Sequence, residues 1–374
     1  MNSKLREIAL VFFKLGCFAF GGPAAHIAMM EDEIIEKRKW MTRDYFLDLI
    51  GTTNLIPGPN STEMTMHCGY ERAGKAGLFV AGIAFIIPAT IITAILAYLY
   101  VEYGQLPKVE PFIYGIKPAV LAIIASAILK LGKKAIKSTE LIILGILVLA
   151  ASLFGINEII ALLSAGIIGM LYFYLKSKRI SSLNTISPFL LLLGIHTTMA
   201  KVSTLKLFLI FLKVGAILYG SGYVLFAYLD AELVIRGLLT RAELIDAIAI
   251  GQFTPGPVLS TSTFIGYQLS GFFGALVATA GIFLPSFLFV LILNPFIPKM
   301  RNSKILRYFL DSVNVAAVAV MLAVLIIMVK ETLVEWQSIS IALIATILIF
   351  KTKISTIWTI VIGAVLGYIL LTFF

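Results

Sequence analysis

The sequence predicts an all-α integral membrane protein with about 12–13 transmembrane segments in two inverted-topology repeats. Three observations lead to this fold class. The chain is 60% hydrophobic and only 13% charged, whereas soluble domains are roughly 45–50% apolar and about 25% charged. Apolar runs long enough to cross a bilayer recur along all 374 residues. The chain also repeats its own motifs, and equivalent loops of the two copies differ in charge.

The formal net charge of +10 does not point to nucleic acid as a partner. The basic residues concentrate in short loops between apolar segments, as the positive-inside rule describes, so the expected partner is the lipid bilayer. Cys17 and Cys68 have no CxxC spacing, which argues against a metal cluster or a disulfide framework. The sequence contains no catalytic or nucleotide-binding motif, so we expect neither an enzyme nor a cofactor.

The first part of each half carries the same motifs in the same order, which indicates an internal repeat. The aligned pairs are Lys14 with Lys213, Gly21 with Gly220, Glu33 with Glu232, Pro57-Gly58-Pro59 with Pro255-Gly256-Pro257, Gly69-Tyr70 with Gly266-Tyr267, Gly74 with Gly271, and Pro88 with Pro285.

The loop charges indicate that the two copies have opposite orientations. Val101–Pro111 has two acidic residues and one lysine, and its counterpart, Lys299–Arg307, has four basic residues and no acid. The basic loop around Lys130–Lys137 likewise corresponds to the more acidic Lys330–Glu335. Because basic loops stay in the cytoplasm, the bias predicts two inverted halves, as in many transporters.

The apolar runs place six segments in each half and one between the halves. This gives an N-terminal transmembrane repeat at 1–180, a connecting segment with a short crossing at 181–204 and a C-terminal inverted repeat at 205–374. The predicted location is the plasma (inner) membrane, with the N-terminus in the cytoplasm and the C-terminus outside. The segments are 8–28, 46–66, 77–100, 112–130, 138–153, 159–175, 186–200, 206–228, 244–266, 275–296, 308–329, 337–350 and 354–373.

The two Pro-Gly-Pro triplets should break their helices inside the membrane, because proline removes a backbone hydrogen bond and clashes with the preceding turn. Irregular backbone at that depth has to be covered by protein or line a water-filled cavity. The residues after each triplet should begin a new helix, whose free N–H groups attract anions. The alternative is a kink that serves packing alone. The predicted substrate-binding residues are Pro57, Gly58, Pro59, Asn60, Ser61, Thr62, Pro255, Gly256, Pro257, Ser260, Thr261 and Ser262.

A second pair of helix breaks is expected in the first segment of each half. It comprises Gly21, Gly22 and Pro23 in the first half and Gly220 and Gly222 in the second. Small residues at these positions also suit close helix packing, so both explanations stay open.

Several charged residues in or beside the apolar segments are candidates for a transport pathway. Lys14 and Lys213 either line a route or extend to the headgroups, and Lys117 either attracts anions or lies at the headgroups. Glu63 and His67, one helical turn apart, either bind a proton or form a hydrogen-bonded interior pair. The matched residues Arg43 and Arg241, and Asp48 and Asp246, are expected to form local pairs or caps near the membrane surface.

These motifs resemble the chromate ion transporter (CHR) family in its long, two-domain form. The resemblance implies export of chromate, a divalent sulfate-like oxyanion, by a secondary transporter that confers chromate resistance. The sequence departs from the family at Glu63, where members commonly carry a neutral residue. The residues that carry the resemblance are Phe13–Pro23, Pro57-Gly58-Pro59 with Ser61-Thr62, Gly69-Tyr70, Gly74, Gly77, Pro255-Gly256-Pro257 and Phe264–Tyr267.

The resulting hypothesis is alternating access around an oxyanion site between the two triplets, driven by the membrane potential or coupled to protons. The main alternatives are an exchanger or importer of sulfate or other oxyanions, and a flippase of anionic phosphorylated lipids. An intramembrane enzyme is disfavoured because catalytic motifs are missing, and a membrane structural partner would tolerate loss of the triplet prolines. The sequence leaves open whether the protein forms a homodimer.

Overall fold

Helices and the turns between them make up the residues that the computed structural model describes, and those residues contain no strand, which confirms the all-α class. Those residues are 3–19, 23–53, 56–104, 106–177, 203–219, 222, 224–294, 303–352 and 354–373. The predicted crossing at 186–200 and the predicted breaks at Gly21, Gly22 and Gly220 lie outside them. The helices are α1 Ser3–Phe18, α2 Pro23–Met30, α3 Arg43–Thr53, α4 Asn60–Tyr103, α5 Glu110–Ala135, α6 Thr139–Leu153, α7 Glu158–Ser177, α8 Thr204–Ile217, α9 Leu225–Leu229, α10 Arg241–Phe253, α11 Thr261–Leu293, α12 Lys304–Thr332, α13 Trp336–Lys351 and α14 Thr356–Phe373.

Six helices in the described part of the chain are long and apolar enough to cross a membrane, namely α4, α5, α7, α11 (with the 3-10 turn before it), α12 and α14. The apolar helices α6 and α13 are shorter. The protein is therefore a multi-pass membrane protein. The direction of each half relative to the membrane stays a prediction, as do the domain boundaries.

The first predicted segment, 8–28, folds as a hairpin rather than as one span. Helix α1 forms one arm, and α2 with the π-helix Glu31–Lys37 forms the other. The arms are antiparallel: His26 Nε2 lies 3.0 Å from the Ala19 carbonyl oxygen near the tip, and the indole of Trp40 donates to Glu7 at 3.3 Å near the base. The second half repeats this hairpin with α8 and α9 as its arms, since Tyr228 donates to the Ile217 carbonyl at 2.9 Å. The predicted single span at 206–228 is therefore also a hairpin.

The second predicted segment, 46–66, is likewise two arms of a hairpin. Helix α3 leads to the first triplet, and the start of α4 returns, so that the Tyr45 hydroxyl donates to Glu71 at 2.8 Å at the open end. The 11 residues of α3 are about 17 Å long at roughly 1.5 Å per residue, short of the ~30 Å hydrocarbon core. In segment 244–266 the arm α10 also ends at a triplet, and a Cβ on Gly251 would overlap the Thr261 hydroxyl of α11.

A break within α4 turns the second hairpin into the next long helix. Ala73 and Gly74 leave helical geometry, with φ/ψ of −148°/27° and 61°/−151°. Ser270 and Gly271 repeat these values within α11 at −150°/23° and 62°/−153°. The positive φ at both glycines explains why the second copy keeps glycine there. Each half therefore contains two hairpins followed by a long helix.

Candidate functional site

The hairpin tips of the two halves contact each other in the buried interior of the protein. The Gly58 amide in the first triplet donates to the Leu218 carbonyl of the second half at 2.7 Å. The Gly256 amide in the second triplet donates to the Ala19 carbonyl of the first half at 2.9 Å. The exchange is reciprocal, as a two-fold relation between the halves requires, and each triplet is closed by the other half. Both glycines have positive φ, 142° and 85°, which other residues rarely adopt.

A helix begins directly after each triplet. Helix α4 starts at Asn60 with Pro59 as its N-cap, and α11 is preceded by the 3-10 turn Val258–Ser260 with Pro257 as its N-cap. Neither proline provides a side-chain cap. The Thr62 and Ser260 amides, which a serine or aspartate cap could accept, donate instead to the Pro59 and Pro257 carbonyls at 2.8 and 2.9 Å. Each triplet thus leads into a helix N-terminus with its positive dipole end, and each triplet contacts a hairpin tip of the other half.

The hydroxyl groups after the triplets differ in their availability. Thr261 and Ser262 donate to the carbonyls of Val258 and Leu259 in their own turn, both at 2.8 Å. The hydroxyls of Thr62 and Ser260 are buried and have no hydrogen-bond partner among the described residues. Unpaired buried hydroxyl groups are costly and uncommon, and they indicate a position where a ligand or water completes the bonding.

Glu63 is fully buried beside Thr62, and neither carboxylate oxygen has a hydrogen-bond partner among the described residues. A Cβ placed on Gly58 would overlap a Glu63 oxygen and lie 2.6 Å from the Ser286 hydroxyl, so the two side chains converge on the triplet. Ser286 comes from α11 of the other half. One turn after Glu63, the buried His67 places Nδ1 3.1 Å from the Asn294 side-chain oxygen, while Nε2 is unpaired within the described chain.

The matched lysines Lys14 and Lys213 form ion pairs within their own hairpins. Lys14 is 3.4 Å from Glu33 and Lys213 is 2.7 Å from Glu232, which are the same two positions in each copy. Lys14 is 63% exposed and lines a surface groove of about 410 Å³. The structure does not bring these lysines to the hairpin tips.

Lys117 pairs across the two halves. Its ammonium lies 3.3 Å from the Asp246 carboxylate, and the Tyr100 hydroxyl donates to the same carboxylate at 2.7 Å. Asp246 is only 4% exposed, so the expected local pair or cap at Asp246 is wrong: its cation comes from α5 of the other half. The expected local pair is confirmed for Arg43, which contacts Glu31 at 2.7 Å. Arg241 contacts Asp230 at 2.9 Å and also pairs with Glu331 of α12, so its pairing is only partly local. The side chain of Asp48 lies outside the described residues.

The remaining predicted breaks have simple positions. Pro23 is the first residue of α2, and Gly222 lies beside the second triplet, where an added Cβ would be 3.4 Å from the Val258 Cβ.

Two polar residues near the tips were not predicted from the sequence. The Ser286 hydroxyl and the Gln252 side-chain nitrogen are buried without partners in the described chain. Ser286 follows the in-helix Pro285, and the first half has Ala89 at the equivalent position. A polar residue in only one copy of a repeat is the signal that would have drawn attention to it.

Comparison with known proteins gives one family. A family model described as chromate transporter matches the chain twice, over residues 6–170 and 205–368, so both halves derive from one unit. A chromate transport protein of Cupriavidus metallidurans is 30% identical over 370 residues, covering 97% of this chain and 92% of that protein. A probable chromate transport protein of Synechococcus elongatus is 30% identical over 376 residues, covering 98% and 95%.

A shorter relative matches one half alone. An uncharacterized transporter of Bacillus subtilis is 24% identical over 164 residues, which is 43% of this chain and 92% of that protein. No solved structure matches the chain.

Proposed function

The chain belongs to the chromate transporter family, and we propose that it exports chromate across the plasma membrane through a site between the hairpin tips. The relatives that match almost the whole chain are named as transport proteins for this anion. The observation that carries the proposal is the pairing of two uncapped helix N-termini with the unpartnered hydroxyls of Thr62 and Ser260. Such a site offers hydrogen-bond donors and positive dipole ends to the oxygens of a divalent oxyanion.

The arrangement of the tips supports alternating access as the mechanism. Broken helices from two repeats that meet at the centre are the parts from which many transporters build a substrate site. In this protein each tip holds the other through one backbone hydrogen bond, from Gly58 or Gly256. Rocking of one pair of hairpins against the other would therefore open the site to one side without unfolding a helix.

The charge of the substrate sets the favoured direction. One elementary charge moved through 100 mV is worth about 2.3 kcal/mol, so a dianion leaving an inside-negative cell gains roughly 4.6 kcal/mol. Export is downhill in the electrical field without an obligatory coupling ion, whereas uptake of the same dianion needs several coupled cations. Because the membrane potential favours export of a dianion, it is able to drive a secondary transporter in that direction.

The test is flux of radiolabelled chromate and sulfate in proteoliposomes with an imposed membrane potential. Thr62→Val and Ser260→Ala each remove one unpartnered hydroxyl at little change in volume, and Thr90→Val is the control because that hydroxyl is bonded to the Ile86 carbonyl in α4. A hydrogen bond to a charged group is worth about 1.5–3 kcal/mol, so the apparent KM should rise roughly tenfold or more in the first two variants. Absence of oxyanion flux in the wild-type protein at every potential would overturn the proposal, and phosphorylated lipids would be tested next.

A further inference from the structure

The structure contains a buried carboxylate beside the anion site that has no counter-charge. Glu63 is fully buried, and both of its oxygens lack hydrogen-bond partners among the described residues. An isolated carboxylate in such a place is costly unless it is neutralised or paired. We propose that Glu63 binds a proton and that this proton is carried together with the oxyanion, an inference that rests on the proposed function.

The groups that face Glu63 leave the proton as the simplest neutralising partner. His67 lies one turn further along the same helix, and Tyr219 approaches from the first hairpin of the other half, close enough to interact electrostatically with the carboxylate. Helix α11 contributes the Ser286 hydroxyl, which is polar but does not titrate. No lysine or arginine in the described chain forms an ion pair with Glu63.

The position of Glu63 sets the sign of the coupling. It directly follows Thr62, whose unpartnered hydroxyl belongs to the proposed anion site. A dianion held there repels a charged carboxylate strongly in a buried, low-dielectric place, but it tolerates a protonated one. Anion binding therefore favours proton binding at Glu63, and by reciprocity the bound proton favours the anion. The two ions travel in the same direction, so each cycle moves one net negative charge with a dianion. The gain from the membrane potential is then about 2.3 kcal/mol per 100 mV, half that of the dianion alone, and export is still favoured by the potential.

His67 offers a route by which the proton reaches and leaves Glu63. With the Asn294 oxygen facing Nδ1 at 3.1 Å, Nδ1 carries the hydrogen of the neutral ring, and Nε2 keeps a free lone pair. Nε2 has no partner in the described chain, so it is able to accept a proton released one turn away and pass it on. Asn294 marks the C-terminal end of α11, where this route would leave the core of the molecule.

The first measurement is proton uptake on anion binding by the full-length protein in weakly buffered detergent solution, followed with a pH indicator. At a pH high enough for Glu63 to be ionised in the anion-free protein, binding of chromate or sulfate should draw up to one proton onto each wild-type molecule. The uptake should shrink towards zero as the pH is lowered and Glu63 becomes protonated before the anion binds. Glu63→Gln should lose this uptake and still bind the anion. Glu71→Gln is the matched control, because Glu71 lies on the same helix but is exposed and bonded to Tyr45. Proton uptake by the Glu71→Gln protein on anion binding should equal that of the wild type.

The second measurement is chromate flux in proteoliposomes with a pH-sensitive dye inside and with sodium varied at fixed pH. Proton movement should accompany chromate in wild-type protein, disappear in Glu63→Gln and become slower in His67→Asn. Chromate flux without proton movement in the wild type, or movement that persists in Glu63→Gln, would overturn the inference and leave the proposed function standing. Chromate flux that depends on sodium instead of pH would assign Glu63 to a metal cation and would also overturn the proposed proton coupling. Absence of any anion binding or flux would overturn both proposals together.

Discussion

The ion pair between Lys117 and Asp246 shows, for single residues, how the two halves depend on each other. Asp246 is almost completely buried, and Lys117 and Tyr100 of the other half supply its partners. Lys117→Met would leave that carboxylate without its cation, and loss of one partner of a buried pair costs about 3 kcal/mol. The unfolding midpoint of the purified protein in detergent should fall clearly.

Replacing both members of the pair separates a structural role from a transport role. Lys117→Met with Asp246→Asn should recover most of the lost stability and keep chromate flux. Lys137→Met is the control, because its pair with Asp311 lies nearer the surface, with side chains 57% and 19% exposed against 24% and 4% for Lys117 and Asp246. A surface pair is worth roughly 0–1 kcal/mol. A stable double variant without flux would show that Lys117 acts on the substrate.

The sequence identified charged residues better than their partners. Lys14 and Lys213 were recognisable as matched cations, and Glu33 and Glu232 as matched acids, but nothing in a linear pattern says that each lysine meets its acid. The pairing depends on the hairpin, which places residues 19 positions apart side by side. A matched cation and a matched acid in both copies of a repeat is a signal that would have suggested the contact.

Close approach of the helices within each half depends on glycine. A Cβ on Gly69 would overlap the Gly77 carbonyl oxygen, and Gly266 has the same relation to Gly274 in the second half. Gly69→Ala and Gly266→Ala force two backbones apart, and overpacking of this kind costs about 1–3 kcal/mol. Both should lower the unfolding midpoint in detergent by similar amounts.

Gly51 is the matched control for these substitutions. It lies within α3, and an added Cβ would contact nothing within 4 Å. Gly51→Ala should therefore be neutral or stabilise by up to about 1 kcal/mol, because alanine is the better helix former. Equal losses at Gly51 and Gly69 would contradict the close packing between the two parts of α4 on either side of its break.

The hairpins place the loop between α2 and α3 on the same side as the N-terminus, whereas single spans at 8–28 and 46–66 would place it on the opposite side. Lys39 lies in this loop and is exposed. In a protein with Cys17 and Cys68 replaced, Lys39→Cys should react with a membrane-impermeant maleimide only in inside-out vesicles, if the N-terminus is cytoplasmic. Labelling from the outside alone, with the N-terminus shown to be inside, would contradict the hairpin.

The hairpins were beyond reach of the sequence for a physical reason. Hydropathy measures how many apolar residues are consecutive, and two short arms around a break give the same total as one spanning helix. The Pro-Gly-Pro triplets did reveal the break itself. They gave no indication of which way the chain continues, since that depends on contacts such as the one between Tyr45 and Glu71.

For the whole molecule, the predicted inversion of the halves has a direct test. The loop after α5 is basic, and its counterpart after α12 is acidic, so the positive-inside rule puts them on opposite sides. In the cysteine-free background, Lys134→Cys should be labelled only in inside-out vesicles and Val334→Cys only in right-side-out vesicles. Both positions are exposed, Val334 at 72%, so labelling of both from one side would contradict the inversion.

The repeat was the part of the architecture most accessible from sequence. Motifs such as Gly74 and Gly271 aligned correctly because the same backbone conformation at each requires glycine. The contact surface between the halves was not accessible, because Gly58 to Leu218 and Gly256 to Ala19 are backbone contacts that impose little on side chains. A structural repeat can therefore be detected in the sequence only at positions where the shared conformation requires a particular residue type.

The exchange of hydrogen bonds between the tips has a consequence for biosynthesis. The partner of the Gly58 amide, Leu218, is about 160 residues further along the chain, which a ribosome adding roughly 5–20 residues per second needs about 8–32 s to make. During that time the first triplet has a backbone donor that only water, lipid headgroups or an insertion factor is available to satisfy. The rate of translation, rather than the rate of helix packing, therefore sets how long the nascent first half is exposed to quality-control proteases.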